Sequence, residues 1–162
     1  MKKQMTRWGV GPQFTIISGV YTVAVCIIHF IWLSHLTIPL PRYLSLILGI
    51  VLLTTGIPIF IVPGLTIDKY FNERKLATKG IYEYFRHPIY GSWIVFIIPG
   101  IILIINSLIG LTIPVFMYVV YKILIVEEER YLEENFGKDY AEYKKNVGGI
   151  FPKLWLIFKR KK

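Results

Sequence analysis

Two clusters of ionisable and aromatic side chains contain most of the groups in this sequence that could do chemistry. The first lies in residues 78–91 and includes Arg86, His87 and three tyrosines, and the second is the acidic run Glu127, Glu128 and Glu129. Each cluster lies at one end of a long apolar run, where polar groups are costly to hold and therefore indicate a functional site. If the two runs pack as an antiparallel pair, both clusters meet at one membrane face. That arrangement favours an enzyme over a passive membrane protein.

Arg86 and His87 have the chemistry to bind or organise an anionic group. Pro88 suits the first turn of a helix, so we expect His87 near the N-cap, beside free backbone N–H groups that attract anions. The planar fork of Arg86 can hold a carboxylate through two bonds, and we predict that it pairs with an acid of the second cluster. The alternatives are a hydrogen-bonded interfacial histidine and an arginine that extends to lipid phosphate.

The three consecutive glutamates cannot all have the same role. Successive residues of a helix point about 100° apart, so the three cannot all face inward. One of them is a candidate to receive an ammonium group or a ribose hydroxyl from a ligand, while the others face water or pair with Arg86 or Arg130. The alternative is a solvated acidic turn, which is the usual meaning of a run of like charges.

The elements that carry these clusters are predicted to be membrane helices. The chain has 162 residues, 54% of them hydrophobic, and a mean hydropathy of +0.54. All ten acids lie in residues 68–83 or 127–142, and Arg42 and Lys122 are the only Lys, Arg, Asp or Glu residues in 8–67 and 87–126. Such uncharged stretches are typical of membrane spans. We predict an all-α integral membrane protein with about four transmembrane helices, at residues 14–36, 43–62, 89–105 and 108–126.

The distribution of lysine and arginine predicts how these spans are oriented. The basic residues concentrate in the N-terminal arm, between spans two and three, and after span four, and such regions normally face the cytoplasm. We therefore expect a cell-membrane protein with both termini and residues 65–88 in the cytoplasm. Residues 126–146 show an imperfect helical stripe interrupted near Gly137, and residues 150–158 are expected in the membrane interface. The predicted units are an N-terminal arm with two helices (1–64) and a catalytic core (65–162).

Several classes of function find little support in the sequence. The net charge of +9 flanks apolar runs, which indicates anionic lipid rather than nucleic acid as a partner. Cys26 is the single cysteine, so neither an intrachain disulfide nor a cysteine metal site is expected. No pattern suggests a metal centre or a catalytic triad. His29 and His35 have no acid or cysteine partners in the sequence and are interpreted as packing or interface residues.

Four motifs in order make the chain similar to a known family. They are Leu76-Ala77-Thr78-Lys79-Gly80-Ile81-Tyr82, Arg86-His87-Pro88-Ile89-Tyr90-Gly91, Glu127-Glu128-Glu129 and Phe136-Gly137-Lys138-Asp139-Tyr140-Ala141-Glu142-Tyr143-Lys144-Lys145. Over roughly residues 65–155 the chain resembles the integral-membrane methyltransferases typified by isoprenylcysteine carboxyl methyltransferase, whose relatives act on phospholipids.

The resemblance implies that the chain binds S-adenosylmethionine in a pocket that the cytoplasmic C-terminal helical segment caps. The residues that it implies for cofactor binding are Lys75, Leu76, Ala77, Tyr82, His87, Pro88, Ile89, Tyr90 and Glu128. Arg86 and Glu128 are expected to carry catalysis, without a metal. The expected partners are membrane lipids and a lipophilic methyl acceptor, which is a prenylcysteine-like carboxylate, a phospholipid amine or a hydrophobic thiol.

The identity of the acceptor and two other functions stay open at this point. Prenylcysteine enzymes of the family have an arginine about four residues before the acid that matches Glu128, whereas this chain has Leu124. Membrane sterol and enone reductases share a similar C-terminal hairpin, and Arg74-Lys75 could hold the 2′-phosphate of NADPH. The third possibility is a four-helix membrane protein without enzymatic activity.

Overall fold

The structure is a computed structural model that describes residues 8–153, and the regular structure of that part is helical. The α-helices are α1 (Gly11–Ile28), α2 (Arg42–Asn72), α3 (Pro88–Gly91), α4 (Ile98–Ile105) and α5 (Thr112–Asn146). Between them lie π-helical stretches at His29–Leu33 and Ser92–Ile97 and 3₁₀ turns at Gly80–Glu83 and Ile109–Leu111. Four segments are long and apolar enough to cross a membrane, namely Gly11–Leu33, Arg42–Asn72, Pro88–Ile105 and Ile109–Asn146. The predicted all-α fold with four spans is confirmed.

The second membrane helix is longer than predicted. We expected it to end at Val62, before Pro63 and Gly64, but α2 continues through both residues to Asn72. A proline inside a helix removes one backbone hydrogen bond, and in a membrane helix packed neighbours can compensate for that loss. Pro63 is fully buried. At about 1.5 Å per residue, the 31 residues of α2 extend well beyond a hydrocarbon layer of about 30 Å.

The fourth span and the predicted tail helix both lie in α5, which consists of two helices that meet at a kink. Its backbone is non-helical at Gly137 (φ 50°, ψ −120°), where we predicted an interruption. Glycine adopts a positive φ at little cost because it has no Cβ atom. Beyond this kink, Tyr143 Oη donates a hydrogen bond of 2.6 Å to the carbonyl of Tyr82. The end of α5 is therefore attached to the segment between α2 and α3.

Close packing between α2 and α4 holds the third span in place. A Cβ atom at Gly49 would lie 2.8 Å from the carbonyl oxygen of Gly100, and small residues of this kind allow membrane helices to approach each other. Ser45 Oγ also donates a hydrogen bond of 2.5 Å to the carbonyl of Leu103. This packing matters for function because the third span begins directly after His87.

The third span departs from a regular α-helix near its proline. We expected a bend at Pro99-Gly100, and the structure has the π-helical stretch Ser92–Ile97 directly before α4, whose first turn contains Pro99. Such π-helical turns are frequent where the regular hydrogen-bond ladder is interrupted. Asn106 then adopts a left-handed conformation (φ 63°) and forms the predicted short link to the fourth span.

Two predictions concern parts of the chain that lie largely outside the described residues. The basic N-terminal residues Lys2, Lys3 and Arg7 precede residue 8, and most of the predicted interfacial segment 150–158 follows residue 153. Of that segment, residues 150–153 are described; Ile150 is buried and Phe151 is exposed.

Candidate active site

The two polar clusters meet at one end of the helix bundle. His87, the residue before α3, lies between two glutamates of α5. Its Nδ1 is 3.4 Å from Oε1 of Glu128, and its Nε2 is 3.3 Å from Oε1 of Glu129. Because neighbouring helical residues point in different directions, the two acids contact opposite nitrogens of the same ring.

Glu128 is held by three partners. Its Oε2 accepts hydrogen bonds from Tyr90 Oη (3.0 Å) and from the backbone N–H of Val10 (3.2 Å), while Oε1 faces His87. The ring of Tyr90 in turn packs edge-on against Phe14 of α1, with ring centroids 5.2 Å apart. An ionised carboxylate offers about four acceptor sites. Glu128 is thus oriented by its surroundings and retains capacity for a ligand.

Glu129 forms an ion-pair network with Arg86 and Lys144. Arg86 Nη2 donates to Glu129 Oε1 (2.5 Å), while Nη1 donates to the carbonyls of Lys144 (3.0 Å) and Val147 (2.6 Å). Lys144 Nζ lies 3.0 Å from Glu129 Oε2. The predicted pairing of Arg86 with an acid of the second cluster is confirmed, and Glu129 is that acid. The network connects the end of α5 with the chain before α3.

The chain after α5 also pairs with this segment through its backbone. The N–H of Arg86 donates to the carbonyl of Gly148 (2.8 Å), and that of His87 to the carbonyl of Gly149 (3.1 Å). A Cβ atom at Gly149 would lie 2.7 Å from Tyr121 Oη. The close approach of these two segments therefore depends on a residue without a side chain at position 149. The backbone pairing fixes the segment that carries Arg86 and His87.

Burial and the two carboxylates act in opposite directions on the imidazole of His87, which is only 3% exposed. Burial by itself would lower the pKa of His87, but the hydrogen bonds and charges of Glu128 and Glu129 outweigh it and raise this pKa above its usual value. A protonated ring can donate from both nitrogens, which suits a ring that contacts two carboxylates. His87 therefore lies where it can orient both acids.

A cavity of about 1520 Å³ opens over this cluster. Its lining includes a polar part with Arg86, His87 and Glu128, and it contains all nine residues expected to bind a cofactor: Lys75, Leu76, Ala77, Tyr82, His87, Pro88, Ile89, Tyr90 and Glu128. Its apolar part is lined by residues of α1, α2 and the third span, among them Ile16, Val23, Phe60 and Trp93. The volume exceeds the roughly 300–1,000 Å³ of a usual ligand pocket, so the cavity has room for two molecules.

Several residues that line the cavity were not among the predicted site residues. They are the α5 residues Tyr131, Asn135, Phe136, Tyr140 and Tyr143 and the N-terminal residues Trp8 and Gly9. The resemblance implies that the C-terminal helical segment caps the pocket, but it does not indicate which side chains of that segment line the cavity. The link between Val10 and Glu128 joins residues 118 positions apart, and no periodic pattern in the sequence reveals such a contact.

The other candidate residues lie away from this cavity. His29 is buried beside a second, smaller cavity of about 50 Å³, which Cys26 also lines, whereas His35 is exposed. Within residues 8–153, no three His, Cys, Asp or Glu side chains are grouped closely enough to hold a metal ion.

Comparison with known proteins identifies the family. The phospholipid methyltransferase family model matches residues 42–139. The chain belongs to this family. It is 36%, 35% and 37% identical to the protein-S-isoprenylcysteine O-methyltransferases of Dictyostelium discoideum, Homo sapiens and Xenopus laevis, over 83, 72 and 78 residues. These segments cover 50%, 44% and 47% of this chain but 34%, 25% and 26% of the relatives, so the chain spans about a third or a quarter of their length.

The phospholipid methyltransferase match includes most of the site but not all of it. Residues 42–139 contain the nine expected cofactor residues together with Arg86 and Glu129. The turn at Val10 and the glycines Gly148 and Gly149 lie outside the matched region, although they contact the cluster directly. Segments on both sides of the matched region therefore contact the candidate site.

Proposed function

We propose that the chain is an S-adenosylmethionine-dependent methyltransferase that methylates a lipophilic acceptor at the membrane interface. The observation that carries the proposal is one cavity whose lining includes both the polar cluster around Glu128 and apolar residues of α1 and α2. The polar cluster suits a charged cofactor, and the apolar residues suit a lipid. Membership in the phospholipid methyltransferase family supports methyl transfer as the reaction.

The side chains around the polar part fit S-adenosylmethionine. The remaining acceptor capacity of Glu128 suits an ammonium group, and the rings of Tyr82, Tyr131 and Phe136 line the same space. Aromatic faces attract cations, so they suit a sulfonium as well as an adenine ring. When bound, this cofactor supplies an electrophilic methyl group. We propose that Glu128 and the other eight expected residues hold it.

The residues of this chain would contribute mainly by positioning. Holding two reactants in line is worth an effective molarity of up to about 10⁵–10⁸ M. The bonds of Arg86 to Glu129 and to two carbonyls favour a positioning role for this residue rather than direct contact with the reacting atoms. A carboxylate or thiolate acceptor needs no base. An amine must release a proton, and Glu128 lines the cavity as a group able to accept it.

The apolar part of the cavity supports an acceptor that enters from the lipid between the helices. A prenylcysteine-like carboxylate, a phospholipid amine and a hydrophobic thiol all meet that requirement. In this proposal residues 1–64 supply most of the acceptor wall and residues 65–162 most of the cofactor site, although α2 crosses position 64 without a break.

We further propose that the site and both termini face the cytoplasm of a cell-membrane protein, because lysine and arginine concentrate on that side. Lys75→Cys in a Cys26→Ala background tests the orientation. A membrane-impermeant maleimide should label position 75 only after the cells are opened. Labelling of intact cells would place the site on the outer face and refute the proposed orientation.

Ligand titration in detergent tests the choice of cofactor. S-adenosylhomocysteine should bind and NADPH should not, although Arg74 and Lys75 line the cavity and could hold a 2′-phosphate. Glu128→Gln should weaken S-adenosylhomocysteine binding at least tenfold, while the exposed Glu142→Gln should leave it unchanged. Binding of NADPH alone, or of neither ligand, would contradict the proposal.

A transfer reaction tests the acceptor. The wild-type protein, incubated with methyl-labelled S-adenosylmethionine and a membrane lipid and thiol extract, should label an apolar product that the Glu128→Gln variant does not label. Chemical identification of that product as an ester, an amine or a thioether decides the acceptor class. No labelled product in any fraction would count against a lipophilic acceptor.

A further inference from the structure

The turn before α1 places a glycine against the acid that faces the cavity. Gly9 has a φ of +53°, and a Cβ atom at this position would overlap Oε2 of Glu128 and lie 2.7 Å from its Cδ. The next residue, Val10, donates its N–H to the same Oε2. Gly80 and Gly137 also have positive φ, but a Cβ atom at either would have no neighbour within 4 Å. Among the positive-φ glycines of residues 8–153, Gly9 alone touches the candidate site in this way.

We propose that Gly9 is a positioning residue of the active site. Its lack of a side chain lets the Val10 N–H reach Glu128, and together with Tyr90 this N–H fixes the orientation in which the carboxylate receives the cofactor. The inference rests on the proposed function, because it concerns how the same acid is presented. Residues 8–10 precede the family match at 42–139, so the family match does not assign this role.

The contacts of the turn explain why it can orient the acid. The side chain of Val10 is buried, in one apolar cluster with Phe14 and Tyr90, so the N–H is presented from a fixed position. Val10 and Tyr90 both donate to one carboxylate oxygen, and His87 faces the other. A side chain at position 9 would displace the carboxylate from the Val10 N–H and change its orientation toward the cavity.

Substitution by alanine at Gly9 tests this role, with two matched controls. Gly80→Ala introduces a Cβ atom at a similar positive φ (+67°) without a neighbour, and Gly64→Ala introduces one in helical backbone, also without a neighbour. Gly9→Ala should weaken S-adenosylhomocysteine binding at least tenfold and raise the KM for S-adenosylmethionine, while both controls stay within twofold of wild type. Wild-type affinity in Gly9→Ala would overturn the proposal.

A double-mutant cycle separates this role from general destabilisation. In a Glu128→Ala background the overlapping carboxylate is gone, so adding Gly9→Ala should change affinity less than twofold. An equal loss in both backgrounds would show that Gly9 acts elsewhere and would overturn the proposal.

If Gly9→Ala does not fold, the Gly9→Ala/Glu128→Ala protein should regain a thermal transition close to that of Gly80→Ala, and failure to regain it also overturns the proposal. Absence of binding by the wild-type protein would refute the proposed function, and the recovery of the thermal transition would then decide the role of Gly9 separately.

Discussion

Replacing Arg86 by lysine keeps the positive charge and removes the planar guanidinium. Arg86 donates from Nη2 to Glu129 and from Nη1 to the carbonyls of Lys144 and Val147. A lysine ammonium presents its three hydrogens from one nitrogen and cannot reproduce a fork that bonds in two directions. We therefore expect Arg86→Lys to keep the ion pair with Glu129 and to lose both carbonyl contacts.

The size of the loss follows from these contacts. At about 1.5 kcal/mol for each charge-assisted hydrogen bond, two lost bonds amount to about 3 kcal/mol. The side chain of Arg86 is only 11% exposed, so water replaces the lost contacts poorly. The affected equilibrium is the docking of residues 147–150 against residues 85–87. A change of about 3 kcal/mol shifts such an equilibrium roughly a hundredfold.

The assay compares Arg86→Lys with wild type in detergent by thermal melting, S-adenosylhomocysteine titration and turnover. The variant should insert and fold but lose most of its turnover and ligand affinity, because the segment that carries His87 loses its support. Arg130→Lys, at an exposed position of the same helix region, is the matched control and should behave as wild type. If Arg86→Lys retained wild-type melting and turnover, Arg86 would be a simple interfacial cation and the network would have no role in the site.

Three further predictions concern the same cluster. Glu129→Ala should lower the melting temperature more than Glu128→Ala, because leaving the cationic partners of a buried pair unmatched costs about 3–5 kcal/mol. A larger drop in Glu128→Ala would contradict the inference that Glu129 is the acid that holds the surrounding segments together. Because the pKa of His87 is raised in the folded protein, protonation of His87 stabilises the fold. This stabilisation is fully present below the ordinary histidine pKa of about 6.5 and is lost as the pH rises through the pKa of His87 in the folded state. The melting temperature should therefore fall with increasing pH in wild type, and this part of the slope should vanish in His87→Gln. Tyr143→Phe removes the donor to the Tyr82 carbonyl and should cost about 1 kcal/mol in the free energy of unfolding, measured by denaturation; no loss would mean that water replaces this bond.

The fold could be predicted from the sequence because its main determinant is local. A run without charge that is long enough to cross the hydrocarbon is read directly from the residues, and all four predicted spans are present. The prediction that the second span ends at Val62 is wrong, because Pro63 lies inside α2 rather than at its end. Inside a packed membrane helix, one missing N–H does not end the element, and α2 continues to Asn72.

The site could be predicted only in part. His87 and Glu128 lie in local patterns and in motifs similar to those of a known family, so the sequence alone indicates them. The contributions of Gly9, Val10 and Gly149 arise from the docking of turns that are distant in the chain and have no periodicity. A positive φ at Gly9 and a close approach at Gly149 are properties of the folded backbone, and glycine in the sequence indicates only that such conformations are available.

The structure also distinguishes two adjacent acids that look equivalent in the sequence. Glu129 is matched by two full positive charges, Arg86 and Lys144, besides the shared His87. Two of the three partners of Glu128 are neutral donors, the Tyr90 hydroxyl and the Val10 N–H. A carboxylate whose charge is already matched by cations has little attraction left for another cation, whereas one held mainly by neutral donors is oriented and keeps more of its negative charge. The partners of the two acids therefore favour Glu128 as the acid that meets a cationic ligand and Glu129 as the acid that holds the surrounding segments together.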